Sequence, residues 1–108
     1  MKITSSDKYI LFTAESPFDI FKQNIQKNFS NYADKNIVLD LSNITTTEEE
    51  IKSLEEFAAI QIENSHSFAI ILPSFNADAF EEELNVVPTL VEAEDIIDMD
   101  EMTRDLGF

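Results

Sequence analysis

Few side chains in this chain of 108 residues are equipped for chemistry. His66 is the one histidine, and it stands in the polar run Ser65-His66-Ser67 with no partner residues beside it. A metal ligand or a general base needs such partners, so His66 reads as a surface linker residue. Asp40 interrupts the apolar run Ile37-Val38-Leu39-Asp40-Leu41. An aspartate near the end of a strand can ligate a metal or take part in catalysis. With no second carboxylate or histidine placed near it, the simpler role is to hydrogen-bond the backbone of the next loop. The run Asp95-Ile96-Ile97-Asp98-Met99-Asp100-Glu101 gathers carboxylates as a calcium loop does. It lacks the Asp-x-Asp-x-Asp-Gly pattern and the glycine that turns such a loop, and its apolar residues suit a helix. There is no cysteine, which excludes disulfides, thiolate catalysis and cysteine-ligated zinc. Gly107 is the only glycine, so a glycine-rich phosphate loop is excluded, and no nucleophile elbow is present. The expectation is a protein that is not an enzyme and carries no cofactor and no metal.

Composition narrows the partners. Seven Lys and Arg against 22 Asp and Glu give a formal charge of −15. Binding phosphates needs clustered cations, so nucleic acid is not expected, nor is an anionic membrane surface. The charge serves solubility, and it also suits an acidic face that meets a basic protein partner. Hydrophobic residues make up 44% of the chain, enough for a globular core in one domain spanning residues 1–108. No apolar run approaches the ~18 residues needed to cross a bilayer, and no signal-peptide core is present. A soluble, cytoplasmic protein is expected, as a monomer or weak homodimer.

The elements that must position these residues follow from periodicity. Lys2 to Ser5 and Tyr9 to Ala14 form a hairpin around Ser6-Asp7-Lys8, and the second strand, apolar on both faces, is not a free edge. Ser16 caps a helix with Pro17 at its first position and Asp19 in its first turn. Phe18, Phe21, Ile25, Phe29 and Tyr32 recur at helical spacing as core. Ile37 to Leu41 is a central strand. A single helix then carries Ile51, Leu54, Phe57, Ala58 and Ile62 on one face and ends near Asn64. Phe68 to Leu72 is a second buried strand. Asn76 caps a short helix through Leu84, with Phe75 stapled on Phe80. Val86-Val87 is a last short strand, and Thr89 with Glu92 forms a capping box. The final helix, either unbroken or bent near Asp98, buries Leu90, Ala93, Ile96, Ile97, Met99, Met102 and Leu106, with Arg104 in its last turn and Gly107 after it. The order is β-β-α-β-α-β-α-β-α.

The run Val38-Leu39-Asp40-Leu41-Ser42-Asn43-Ile44-Thr45 resembles the core strand and following loop of STAS domains, the fold of bacterial anti-sigma factor antagonists. Those proteins commonly show Val-Leu-Asp-Leu-Ser-Gly-Leu-Thr here, then an apolar residue, then Asp-Ser-Ser-Gly at the start of the next helix. The likeness continues in Phe68 to Leu72 and in Ala79-Phe80-Glu81-Glu82-Glu83-Leu84-Asn85-Val86-Val87. The element order from Tyr9 onward is also similar. The segment from Glu83 to Ile97 further resembles small bacterial STAS-like proteins often labelled ribonuclease Z. That activity would need several His and Asp around two zinc ions, which one histidine cannot supply. The resemblance implies an α/β, STAS-like single domain, with a four- to five-stranded mixed sheet and about four helices.

The departure from the family falls at its switch. In STAS proteins of this type, a Ser or Thr of the Asp-Ser-Ser-Gly motif is phosphorylated by a partner kinase. Counted from Asp40, the motif's Asp falls at Glu48, its serines at Glu49 and Glu50, and its glycine at Ile51. Thr47 and Glu50 form a capping box, and the three glutamates suit a helix start, at ~0.3–1 kcal/mol each. Fixed negative charge could also imitate the phosphorylated form. A phosphoserine carries roughly −1.5 to −2, however, so one glutamate imitates it poorly. Thr45, Thr46 and Thr47 remain as candidate phosphosites. Thr45, Thr46, Thr47, Glu48, Glu49 and Glu50 are therefore the expected interaction and switch loop. The function expected is a non-catalytic, regulatory protein-interaction module. The alternative is an acidic accessory subunit of an enzyme.

Overall fold

A computed structural model describes residues 1–74 and 79–106. Five strands form one sheet in the order β1-β2-β3-β4-β5. They are β1 (Lys2–Ser5), β2 (Tyr9–Thr13), β3 (Asn36–Asp40), β4 (Phe68–Ile71) and β5 (Val86–Val87). β1 runs antiparallel to β2, and β2 through β5 are mutually parallel. The helices among the described residues are α1 (Phe18–Tyr32), α2 (Glu48–Lys52), α3 (Glu55–Glu63) and α4 (Leu90–Asp105). The expected α/β fold with a mixed sheet is the one found.

The strand order explains where the helices lie. β2, β3, β4 and β5 follow one another in space as they do in sequence, so every parallel connection steps the same way across the sheet. Connections of one hand then leave their helices on one face. Phe18, Phe21, Ile25 and Phe29 of α1, Ile51 of α2, and Phe57 and Ala58 of α3 all pack on that face, against Ile10, Phe12, Ile37, Leu39, Phe68 and Ile70. The other face carries Tyr9, Val38, Ala69 and Ile71, and Ala93 and Ile97 of α4 close it. Alternation along β3 divides the two: Ile37 and Leu39 point one way, Val38 the other. β1 is exposed throughout and ends the sheet on one side. β2 lies between β1 and β3, as its apolar faces require.

Several local expectations are corrected. Pro17 occupies the N-cap of α1 rather than its first turn, and no side chain caps the helix. The Pro17 carbonyl accepts from both Ile20 N and Phe21 N at 3.1 Å, so it starts the ladder without help from Ser16. The expected single helix after β3 is broken at Ser53-Leu54 into α2 and α3. Leu54 N bonds Ile51 O and Phe57 N bonds Leu54 O, a tighter three-residue spacing. Residues wound at three per turn each advance about 20° further than α-helical ones. That extra rotation carries Gln61 into the core and turns Ile62 out, 53% exposed.

The expected helix through Leu84 is not continuous: Glu81 is extended (φ −67°, ψ 148°), and Glu82–Leu84 is a 3-10 turn. Asn76 as a cap, the Phe75 staple and Gly107 lie outside the described residues. α4 runs as one helix, and Thr89 Oγ accepts from Glu92 N at 3.3 Å; only this half of the expected capping box forms among the described residues. Met99, Met102 and Leu106, expected in the core, are exposed, and Ile96 is half-buried.

Candidate functional site

The carboxyl ends of parallel strands are where α/β proteins place binding residues, because the loops that leave the sheet converge there. β3 ends at Asp40, and its carboxylate stays with its own loop. Asp40 Oδ1 accepts from Ser42 N at 2.9 Å and from Ser42 Oγ at 2.6 Å. The side chain thus shapes the turn that sends Thr45–Glu50 back toward α1, the structural role expected of it.

That segment ends in a reciprocal cap. Thr47 Oγ1 accepts from Glu50 N at 3.1 Å, and Thr47 N donates to Glu50 Oε1 at 2.8 Å. The capping box expected of Thr47 and Glu50 is present. It ties down a five-residue helix whose first turn holds Glu48, Glu49 and Glu50. Glu50 is therefore committed to the backbone, while Glu48 and Glu49 stand exposed in solvent. The threonines are not equivalent. Thr45 is exposed, Thr46 Oγ1 is shut off from solvent with no hydrogen-bond partner, and Thr47 Oγ1 is engaged as the cap.

Beside this segment runs a shallow groove of about 440 Å³ between α1 and α2. α1 contributes Phe18, Asp19, Lys22 and Gln26, and the other wall holds Thr47, Glu49 and Glu50. Three carboxylates face one cation. An open, acidic, mixed-polarity groove of this kind excludes water poorly and offers no paired acid and base.

The other chemistry-bearing residues are not gathered here. His66 precedes β4 at the amino end of the sheet, whereas Asp40 closes β3 at the carboxyl end. About 13 Å or more of strand separates them, so they cannot act on one group. His66 is half-buried, with its backbone N donating to Gln61 O at 2.8 Å, and it borders a recess shared with Asn36, Glu101 and Arg104. Its neighbours come from distant parts of the chain, which its polar sequence surroundings did not show. The acidic run of α4 is spread around a helix. Among the described residues, no group of three or more His, Asp or Glu side chains is placed to hold a metal ion. No described helix is long and apolar enough to cross a membrane.

A polar network at the amino end of the sheet was not anticipated. Asn36 and Ser67 are buried, with Asn36 Oδ1 accepting from Ser67 N at 2.7 Å. Asn36 Nδ2 donates to Lys8 O at 2.9 Å and to Glu101 Oε1 at 2.8 Å. Ser67 Oγ donates to Asp100 Oδ2 at 2.7 Å and accepts from the Arg104 guanidinium at 3.4 and 3.5 Å. Nearby, Lys8 Nζ meets Asp98 at 2.6 Å, and the Tyr9 hydroxyl donates to Glu94 at 3.0 Å. The hydrogen bond and charge of Asp98 hold the Lys8 ammonium above its ordinary range. Burial first, then the bond to Glu94, raises the Tyr9 phenol. The signal for this network was the pair of polar residues, Asn36 and Ser67, that stand just before the apolar runs Ile37-Val38-Leu39 and Phe68–Ile71.

Comparison with known proteins adds no relative: no family model matches the chain, and no curated protein matches it.

Proposed function

We propose that the chain is a non-catalytic interaction module of the STAS type, acting in the cytoplasm, which binds a protein partner through Thr45–Glu50 and the adjoining α1–α2 groove. One observation carries the proposal. The segment that stands where the family keeps its phosphorylated serine is held by the Thr47–Glu50 capping box with Glu48 and Glu49 projecting into solvent. Such a segment has a defined shape and a permanent negative charge, two requirements of a recognition epitope. Its regulation then differs from the family's. Binding is constitutive at Glu48 and Glu49, and within Thr45–Glu50 a phosphate can be added only to threonine. Thr45 is the one of the three that is both exposed and outside the cap.

Capture of partners from native lysate on the intact chain, alongside a Glu48→Lys/Glu49→Lys variant, tests this. The variant leaves Glu50 and the cap untouched. Recovery of a kinase or sigma regulator by the parent chain and its loss with the variant are expected. A metabolic or RNA-processing enzyme in its place would assign the chain as an acidic accessory subunit. Recovery that ignores the charge reversal would remove Thr45–Glu50 as the epitope.

A further inference from the structure

We propose that the outward face of α4 is a second docking surface, one that takes a basic amphipathic helix of a partner protein. Val91, Met99, Met102 and Leu106 are 66%, 66%, 65% and 69% exposed, the four most exposed large apolar side chains among the described residues. At 100° per residue, they fall within an arc of about 80°; Met99, Met102 and Leu106 form a stripe about 10 Å long, and exposed Asp95 separates it from Val91, two turns away on the same side. The arc is opposite Ala93 and Ile97, which bury against the sheet. α4 is therefore apolar on two sides, and only one side has a partner within the fold. Isolated exposed apolar residues are ordinary, but Met99, Met102 and Leu106 adjoin one another on one side of the helix end, and such a patch rimmed by carboxylates marks an interface. Its two methionines suit it to repacking against a helix that is not an exact fit.

Charge selects the occupant. α4 carries seven carboxylates and one cation, Arg104, and that cation is turned inward to Ser67. Glu92, Asp95 and Asp105 are exposed beside or within the stripe. Asp98, though bound to Lys8, keeps 44% of its side chain in solvent. A complementary helix must bring leucine-like side chains to the methionines and Lys or Arg to both flanks. A second copy of this chain is the wrong occupant, since it would set carboxylates against carboxylates with −15 on each molecule. An anionic lipid surface is repelled by the same field. This surface lies across the sheet from the α1–α2 groove and does not depend on it.

Fluorescence anisotropy on the purified full chain tests the assignment, with a labelled Leu/Lys peptide of about 18 residues patterned as an amphipathic helix. A scrambled peptide of the same composition and a Leu/Glu peptide of the same pattern serve as competitors. Binding in the micromolar range is expected for the patterned basic peptide, at least about tenfold tighter than for either control. Met99→Ser/Met102→Ser should weaken it by at least about tenfold, as should Met102→Lys alone, with unchanged melting temperature because both side chains are exposed. Glu48→Lys/Glu49→Lys should leave it as it is. Equal binding of the scrambled peptide, or indifference to both methionine variants, overturns the proposal. Sedimentation showing a dimer that Met102→Lys dissolves also overturns it, by assigning the stripe to a second copy.

Discussion

The two faces of the sheet are closed by different physics. Toward α1, α2 and α3, the described residues put seventeen buried apolar side chains into one cluster, with Phe29 on Phe57 at 5.0 Å between ring centres. Toward α4 they put six, two of them alanines. The amino-terminal half of α4 is held by Ala93 and Ile97. Its remainder is held by Asp98, Asp100, Glu101 and Arg104 reaching Lys8, Ser67 and Asn36. Apolar burial is insensitive to direction, so it tolerates small movements. A set of hydrogen bonds to buried Asn36 and Ser67 holds one position and is lost all at once. The contrast teaches that α4 is the separable part of the fold, with little area but a demanding geometry.

The largest expected effect lies on the apolar side. Leu39 and Val38 are neighbours on β3 that face opposite ways, both fully buried. Leu39→Ala should destabilise by about 3–4 kcal/mol, measured by urea unfolding. Val38→Ala deletes fewer atoms from a layer that α4 can close over, and it should cost clearly less. Equal losses would mean that the two faces are packed alike. Native-state hydrogen exchange gives an independent reading: amides of α4 should open before those of α1, with β3 last.

Next comes the polar seam. Asn36→Ala removes three hydrogen bonds and strands the Ser67 N–H, so about 2–3 kcal/mol is expected in the same unfolding experiment. A loss below half of the smaller figure would show that water replaces the side chain, and the seam would then be no more exacting than the apolar face.

The same division decided what was legible in the sequence. Phe18, Phe21, Ile25 and Phe29 repeat at helical spacing, and β3 and β4 are built on the apolar runs Ile37-Val38-Leu39 and Phe68–Ile71. Periodicity of burial is what pattern reading detects, so α1 and the central strands were placed within a residue or so. α4 defeated the same method because it is apolar on two sides. Met99 and Met102 looked like core, while Asp100 and Glu101 were read only as part of an acidic run and Arg104 only as a last-turn cation, although all three reach buried Asn36 or Ser67. Their partners lie more than thirty residues away in Asn36 and Ser67, and no local pattern encodes such a pairing. Gln61 was hidden for a different reason. The rotation introduced between Leu54 and Phe57 shifts the helical phase, and a phase shift is invisible to a fixed period. At the candidate site, the Thr47–Glu50 box and the local role of Asp40 were readable because each is completed within three residues.

A smaller effect separates the cap from both faces. Thr47→Ala should cost about 1 kcal/mol, since it frees Glu50 N at the start of α2 without touching either cluster. Glu50→Gln can still accept from Thr47 N and should cost less. If Thr47→Ala also disturbed α4, seen as faster exchange there, α4 would not be the separable part.

The smallest effect at neutral pH, and the most specific, comes from titrating the α4 seam. Tyr9 and Lys8 both hold their protons more tightly in the folded chain than in the unfolded one, whose ordinary values are 10.0 and 10.5. A raised folded value means that the folded state binds more protons across that window, so stability falls as pH rises. Their contribution is complete below pH about 10 and disappears as pH climbs through the folded values. Burial and the Glu94 bond raise Tyr9, so Tyr9→Phe should remove part of the alkaline decline while changing stability at pH 7 by about 1 kcal/mol or less. Lys8 is exposed, and screening by salt should flatten its share first. Thermal melts at pH 8, 10 and 11 in low and high salt resolve the two. A decline that Tyr9→Phe leaves unchanged would place the alkaline weakness elsewhere. A decline that it halves at either salt would locate it where Tyr9 meets Glu94, at the boundary between the apolar and polar halves of α4.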